Sequence, residues 1–208
     1  MMMYETELYQ ADIPMKEFIA KYQDIDKFMA YCRACPNYNV RWSCPSLSFD
    51  VGELLAKYDR VHLVGLKMTY DQETIRSADT PEKVKSVTWD TLFVEKRALE
   101  ETLLIVESEN AGSRALSSGG CHYCDTCART EGKACIYPDK MRYSLDAFGF
   151  DLTAITAQQL GIDLCWSQGA LPPYYTLIHA LLLPVGAETD ESVLAERIKN
   201  ERENHIAK

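Results

Sequence analysis

The sequence predicts an α+β fold: a mixed or antiparallel sheet of about four to five strands packed with helices, with cysteine-rich loops at one edge. Three observations carry that expectation. Short apolar or alternating stretches recur at 5–13, 60–68, 111–117, 162–166 and 174–183. Apolar residues return at steps of three or four over 14–35, 81–110 and 188–207. The two periods are interspersed along the chain, with no repeat, low-complexity tract or linker between them, so residues 1–208 read as a single domain. With 47% hydrophobic and 25% charged residues, a chain of 208 residues can bury an ordinary core, which excludes disordered and fibrous classes.

Residues 5–13 alternate loosely, as an edge strand does. From Pro14 the pattern turns helical through Phe18, Tyr22, Ile25, Met29 and Cys32, with Cys35 one turn further on and Pro36 as the stop. Residues 50–58 read as a short helix and 60–68 as a buried strand bearing Val61, Leu63, Val64 and Leu66. Thr80 followed by Pro81 opens a long helix to about residue 110, because a threonine cap and a proline in the first turn both suit a helix start. Residues 111–117 form a strand that leads through Gly119 and Gly120 into a cysteine run, where glycine permits amides to approach sulfur closely. Residues 144–148 and 151–160 read as helices parted by Gly149, 162–166 and 174–183 as strands, and 188–207 as an amphipathic terminal helix.

Seven of the eight cysteines fall into two groups within the loops 32–45 and 119–142. Cys121, Cys124, Cys127 and Cys135 are spaced C-x2-C-x2-C-x7-C and followed by Pro138, and Cys32, Cys35 and Cys44 are spaced C-x2-C-x8-C and followed by Pro45. Three thiols at three-residue steps let a short loop wrap a polynuclear metal centre, as in ferredoxin-like iron-sulfur runs. Four thiolates also make a tetrahedral zinc site, although zinc sites usually pair two separated C-x2-C knuckles. The metal is therefore read as an iron-sulfur cluster, [4Fe-4S], one or two per chain, with zinc as the alternative. Ligand pairing between the two groups stays open. Cys165, in the apolar stretch Leu164-Cys165-Trp166, is read as core, with ligation as its alternative.

Other residue types add less. His122 sits between ligand positions and reads as a supporting residue, while His62 and His179 lie in apolar strands and read as hydrogen-bonded core. Tyr38 and Trp42 would shield the upstream loop. The net charge of −9 and pI of about 5 argue against nucleic acid or an anionic membrane as the partner. Yet the stretch from Cys32 to Cys44 holds Arg33 and Arg41 with no acid, and residues 114–142 hold five cations to three acids. Arg41, Arg129 and Lys133 would there offset thiolate charge. No basic segment followed by an apolar one opens the chain, and the longest apolar run is too short to span a bilayer, so a cytoplasmic location is expected. In that reducing setting clustered cysteines serve as ligands or redox centres more than as disulfides. No G-x-G-x-x-G, Walker, G-x-S-x-G or H-E-x-x-H motif supports a nucleotide, hydride or hydrolytic enzyme, and whether the chain is an enzyme is left open.

The residues Gly120-Cys121, Cys124, Cys127-Ala128, Cys135, Pro138, Arg142, Ser144, Ala147 and Gly149, together with Cys32, Cys35, Tyr38, Trp42, Cys44 and Pro45, resemble an uncharacterised prokaryotic family. It is described only as predicted metal-binding proteins (domain of unknown function 2284). The resemblance spans about 29–183 and implies metal binding without a defined reaction. Asp146 and Tyr137 depart from it, standing where the family pattern would have a glutamate and a histidine. The expected function is an electron-transfer or redox-sensing module that meets a redox protein partner. The rival expectations are a zinc-stapled adaptor and an accessory reductase with an open iron site.

Overall fold

A computed structural model of the chain describes residues 3–167 and 169–206. Strands β1 (Tyr4–Pro14), β2 (Arg60–Tyr70), β3 (Arg114–Leu116) and β4 (Tyr174–Leu183) form one antiparallel sheet in the order β1-β2-β4-β3. The α+β class therefore stands, with four strands and every pairing antiparallel.

The register explains why β2 and β4 read as continuous apolar runs. Leu63 faces Ala180 and Leu66 faces Leu177 across the central pair. Val61, Leu63, Ile178, Ala180 and Leu182 point to one face, while Val64, Leu66, Met68, Leu177, Leu181 and Leu183 point to the other. Both faces are covered, so neither strand has a polar side. On the second face lie α5 (Pro81–Glu109), through Leu99, Leu103 and Val106, and α7 (Glu191–Ile206), through Leu194 and Ile198. On the first lie α1 (Met15–Tyr22), α3 (Val51–Leu55) and the stretch from Leu145 to Ile162, centred on the fully buried Phe18, Phe148 and Phe150. Each of those rings contributes roughly 1.5–3 kcal/mol by leaving water.

Several expected elements are revised. The helix expected over 14–35 is two: α1 ends at Tyr22 and α2 runs Ile25–Ala34. Asp24 accepts a hydrogen bond from the Lys27 amide at 3.0 Å and so starts a new helix, while Gln23 is extended and bridges Phe150. Capping chemistry overrode an unbroken apolar period. Residues 162–166 are not a strand and pair with no edge of the sheet. Ile162 instead packs over Gly65, together with Leu160. The helix expected at 144–148 is only a 3-10 turn, Asp146–Phe148, since Ser144 is engaged in a parallel bridge with Ser117. The strand expected from 111 begins at Arg114.

The helix expected over 151–160 is α6 (Leu152–Ile155) continued by a wider π turn, Thr156–Leu160. A short helix absent from the sequence expectation, α4 (Gln72–Ser77), is capped by Asp71, which accepts from the Thr74 amide. The terminal helix starts at Glu191, and its expected end at Ala207 lies outside the described residues. No helix among the described residues is long and apolar enough to cross a membrane.

Candidate metal centre

The two cysteine groups lie side by side but line different cavities. Cys32 occupies the last turn of α2 and Cys35 caps it, its amide donating to the Cys32 carbonyl at 3.0 Å. A succession of tight turns then brings Cys44 back toward them. Tyr38 N–H donates to Cys35, Asn39 N–H to Pro45 at 2.8 Å, and Cys44 N–H to Arg41 at 3.0 Å. Asn39 takes the left-handed conformation (φ 59°) that asparagine tolerates better than most residues, and its Oδ1 accepts from both the amide and hydroxyl of Ser46. The three thiols open on a cavity of about 690 Å³, shared with Tyr38, Gly120, Asp146, Phe150 and Trp166.

The downstream run leaves the sheet after β3. Cys121 N–H donates to the buried Ser43 hydroxyl at 2.8 Å, so the residue before Cys44 receives the start of the second loop. The two glycines were expected to bring amides to sulfur, and at Cys121 the amide goes to that hydroxyl instead. Gly120 is the point of closest approach: a Cβ there would lie 3.2 Å from Arg41 Cδ and 3.7 Å from Cys44 Sγ. Beyond it, the amide and hydroxyl of Thr130 both donate to the Cys127 carbonyl, and the 3-10 turn Ala128–Glu131 returns the chain to Cys135. Cys121, Cys124, Cys127 and Cys135 line a second, narrow cavity of about 20 Å³ with Arg41, Trp42 and Tyr137. The three upstream thiols thus line one cavity and the four downstream thiols another. Cys165 is half-buried and lines neither cavity.

Among the described residues, no three of these thiols come within 4.8 Å of one another. The two groups of mixed side chains that do converge that closely, Asp12-His62-Glu191 and Glu101-Glu201-His205, contain no cysteine. His62 Nε2 meets Gln10 Oε1 at 3.1 Å and His179 Nδ1 meets the Ser118 hydroxyl at 3.3 Å, both rings fully buried, as expected of core histidines. His122 turns away from the thiols: its Nδ1 sits 3.0 Å from Lys96 Nζ on α5 and its ring meets Phe93 edge-on. Burial and the Lys96 charge depress its pKa to about 3, so it is neutral at ordinary pH.

The cations near the cysteines also hold the two loops together. Arg129 reaches back from the second loop to the first, donating through Nη1 to the carbonyls of Arg41 (2.9 Å) and Cys44 (2.8 Å) and through Nη2 to Ser46 O (2.8 Å) and Asn39 Oδ1 (3.0 Å). Its guanidinium lies 5.0 Å from the Trp42 ring, and Trp42 Nε1 in turn donates to Lys133 O. Arg41 Nη1 returns the bond by donating to the Cys121 carbonyl at 2.6 Å. The two loops are therefore cross-laced by arginine on carbonyl, a geometry suited to the planar fork. Lys133 pairs with Glu131 in solvent, and Arg142 grips Glu107 of α5 through two bonds of 2.8 and 2.6 Å. These cations tie down chain, and Arg41 also pulls against the upward shift of the Cys44 and Cys124 thiols.

Burial, the nearby Asp146 carboxylate and the neighbouring thiols push Cys32 up to about 11. Burial also raises Cys44, against the pull of the Ser43 hydroxyl and Arg41, and raises Cys121, against the Tyr123 amide and Lys96. Without a bound cation these sulfurs hold their protons at neutral pH, so a metal binding here would release them.

The sequence reading missed Ser43 and Lys96 as parts of this region, and noted Asp146 only as a departure from the family pattern. Ser43 and Lys96 carry no spacing signal, since a lysine in a long helix reads as a solvated one; here Lys96 is buried and donates to the Gly120 carbonyl. Comparison with known proteins gives one family whose model matches residues 19–183, described as Predicted metal-binding protein (DUF2284). No curated protein and no solved structure matches.

Proposed function

This chain belongs to that family of predicted metal-binding proteins, and from that premise we propose that it holds two neighbouring iron-sulfur clusters and serves as an electron-transfer or redox-sensing module. Cys121, Cys124, Cys127 and Cys135 would hold one cluster, and Cys32, Cys35 and Cys44 would supply three ligands to the other. The observation that carries the reading is the spread of the thiols. A single zinc with Zn–S near 2.3 Å draws its sulfurs to about 3.8 Å apart, whereas a cluster gives each sulfur its own iron and keeps them wider. Among the described residues, no three thiols approach to 4.8 Å of one another. When bound, such clusters supply one-electron chemistry.

The chain's own contribution is to fix and separate the two ligand sets. The Arg41 and Arg129 bonds hold the loops in one register, and Gly120 lets them meet with the width of one residue between Cys44 and Cys121. That adjacency suits passage of an electron between the sets. The acidic remainder of the chain suits a transient redox partner with a basic face. The 690 Å³ cavity at the three-thiol set favours a second reading, an accessory reductase that admits a small molecule at that position. Zinc would suit the narrow space among the four downstream thiols better than it suits their spacing.

The test is anaerobic purification of the full chain followed by visible absorption and counts of iron, zinc and acid-labile sulfide. The reading expects a brown protein with iron and sulfide in matching amounts, falling by about half in Cys124→Ser. A colourless protein with stoichiometric zinc and no sulfide refutes it.

A further inference from the structure

Asp146 carries a carboxylate oxygen that the fold leaves without a use. It opens the 3-10 turn Asp146–Phe148 and lines the same cavity as Cys32, Cys35 and Cys44. Its Oδ1 is buried with no hydrogen-bond partner, and no cation among the described residues pairs with it; the nearby Lys27 goes to Asp151 at 3.8 Å. A buried carboxylate oxygen without a partner is unfavourable, and an apolar side chain there would avoid that cost.

The position of the turn is fixed with respect to the thiols. Gly149, directly after it, has φ +81°, and a Cβ there would lie 2.8 Å from Ile25 Cα at the start of α2. Asp24 N–H donates to the Gly149 carbonyl and Gln23 Nε2 to the Phe148 carbonyl, each at 2.9 Å. At the far end of α2, Cys32 Sγ stands 3.9 Å from the Asp146 carbonyl oxygen. Helix and turn are thereby held as one unit, with the carboxylate beside the sulfurs.

A four-iron cluster takes four protein ligands, and the upstream set offers three thiols. We propose that the Asp146 carboxylate is the fourth ligand of the upstream cluster. This rests on the iron-sulfur reading above. An oxygen-held iron is bound less firmly than its thiolate-held neighbours, because carboxylate is the harder donor, and it faces the cavity. That iron is the exchangeable one.

The experiment uses the full chain, loaded anaerobically with iron and sulfide, treated with ferricyanide and followed by electron paramagnetic resonance and iron counts. Each ferricyanide takes one electron from a [4Fe-4S] cluster in its 2+ state, leaving a three-iron cluster in its 1+ state and one released ferrous ion. The wild type is expected to lose one iron per chain and show the three-iron signal. Asp146→Cys is expected to keep that iron and suppress the signal at least fivefold, and Asp146→Ala to carry one iron fewer per chain before oxidant is added, as a neutral three-iron cluster that gives the signal only after ferricyanide takes one electron from it. An equal signal in wild type and Asp146→Cys, at full cluster content, overturns the Asp146 assignment alone. Absence of sulfide from the wild type overturns the iron-sulfur reading on which it rests. Circular dichroism of both variants matching the wild type separates ligand loss from misfolding.

Discussion

Removing the Arg129 side chain should release the upstream cysteine loop while leaving the sheet intact. Of its hydrogen bonds, those to the Arg41 and Cys44 carbonyls are partly buried and come from a charged donor, while the contacts to Ser46 and Asn39 are exposed and are replaced by water in Arg129→Ala. Taking each of the two partly buried bonds at the low end of the range for charged groups, about 1.5 kcal/mol, the loop loses about 3 kcal/mol of docking energy. A tenfold change in an equilibrium is about 1.4 kcal/mol, so local opening rises on the order of 100-fold. Native-state hydrogen exchange of the metal-free chain reads this at the Asn39 and Cys44 amides, which donate within the loop. Amides of β2 and β4 should not change. Arg129→Lys, keeping the charge but losing the fork, should recover less than half of the protection. Exchange at Asn39 and Cys44 within threefold of wild type in Arg129→Ala would show that the loop is held by other means.

Three further outcomes follow from the fold and its buried groups. His179 is fully buried with its pKa depressed to about 3, so the folded state refuses a proton that the unfolded chain accepts near 6.5; stability is full above that value and is lost as pH falls toward 3. Between pH 7 and 5 that loss is about 2 kcal/mol, and urea unfolding at both pH values should show it shrink in His179→Gln, an unchanged difference counting against the assignment. Phe18→Ala, at a ring with no exposure between Tyr22 and Phe150, should cost about 3–5 kcal/mol and lower Tm by about 10 °C in a thermal melt. Gly149→Ala meets both a left-handed backbone and the Ile25 Cα, so it should cost more than about 2 kcal/mol, against about 1 kcal/mol for Gly132→Ala, where φ is +67° and nothing lies within 4 Å; equal costs by urea unfolding would refute the overlap.

The layered fold was legible because its strands and long helix carry strong periods: Val61 to Met68 and Leu177 to Leu183 are buried on both faces, and Thr80-Pro81 marks the start of α5 unambiguously. What escaped were places where a local partner outbid periodicity. Asp24 splits one apolar stripe into two helices, and Ile162 follows a strand pattern but packs over Gly65 instead of joining the sheet. The cysteine groups were legible from spacing alone, yet their division into two cavities was not, since it depends on where α2, β3 and the turn at Asp146 meet in space. The cations near the cysteines illustrate the converse. Their clustering in sequence was visible, but Arg129 and Arg41 answer carbonyl oxygens, which a sequence does not display.

The two ligand sets also differ in how much of the chain must be in place before they exist. Cys121 to Cys135 span fifteen residues, so that loop can gather its thiols while the rest of the chain is still unfolded, at the small closure cost of a short segment. Cys32 meets Asp146 only across a sequence separation of 114, which needs the sheet and its flanking helices in place. If both sets bind metal as proposed, metal supplied during folding would reach the downstream set early and the upstream set last. A chain starved of metal late in folding should accumulate in a half-loaded form, recognisable by intact downstream ligation and reactive Cys32, Cys35 and Cys44 thiols.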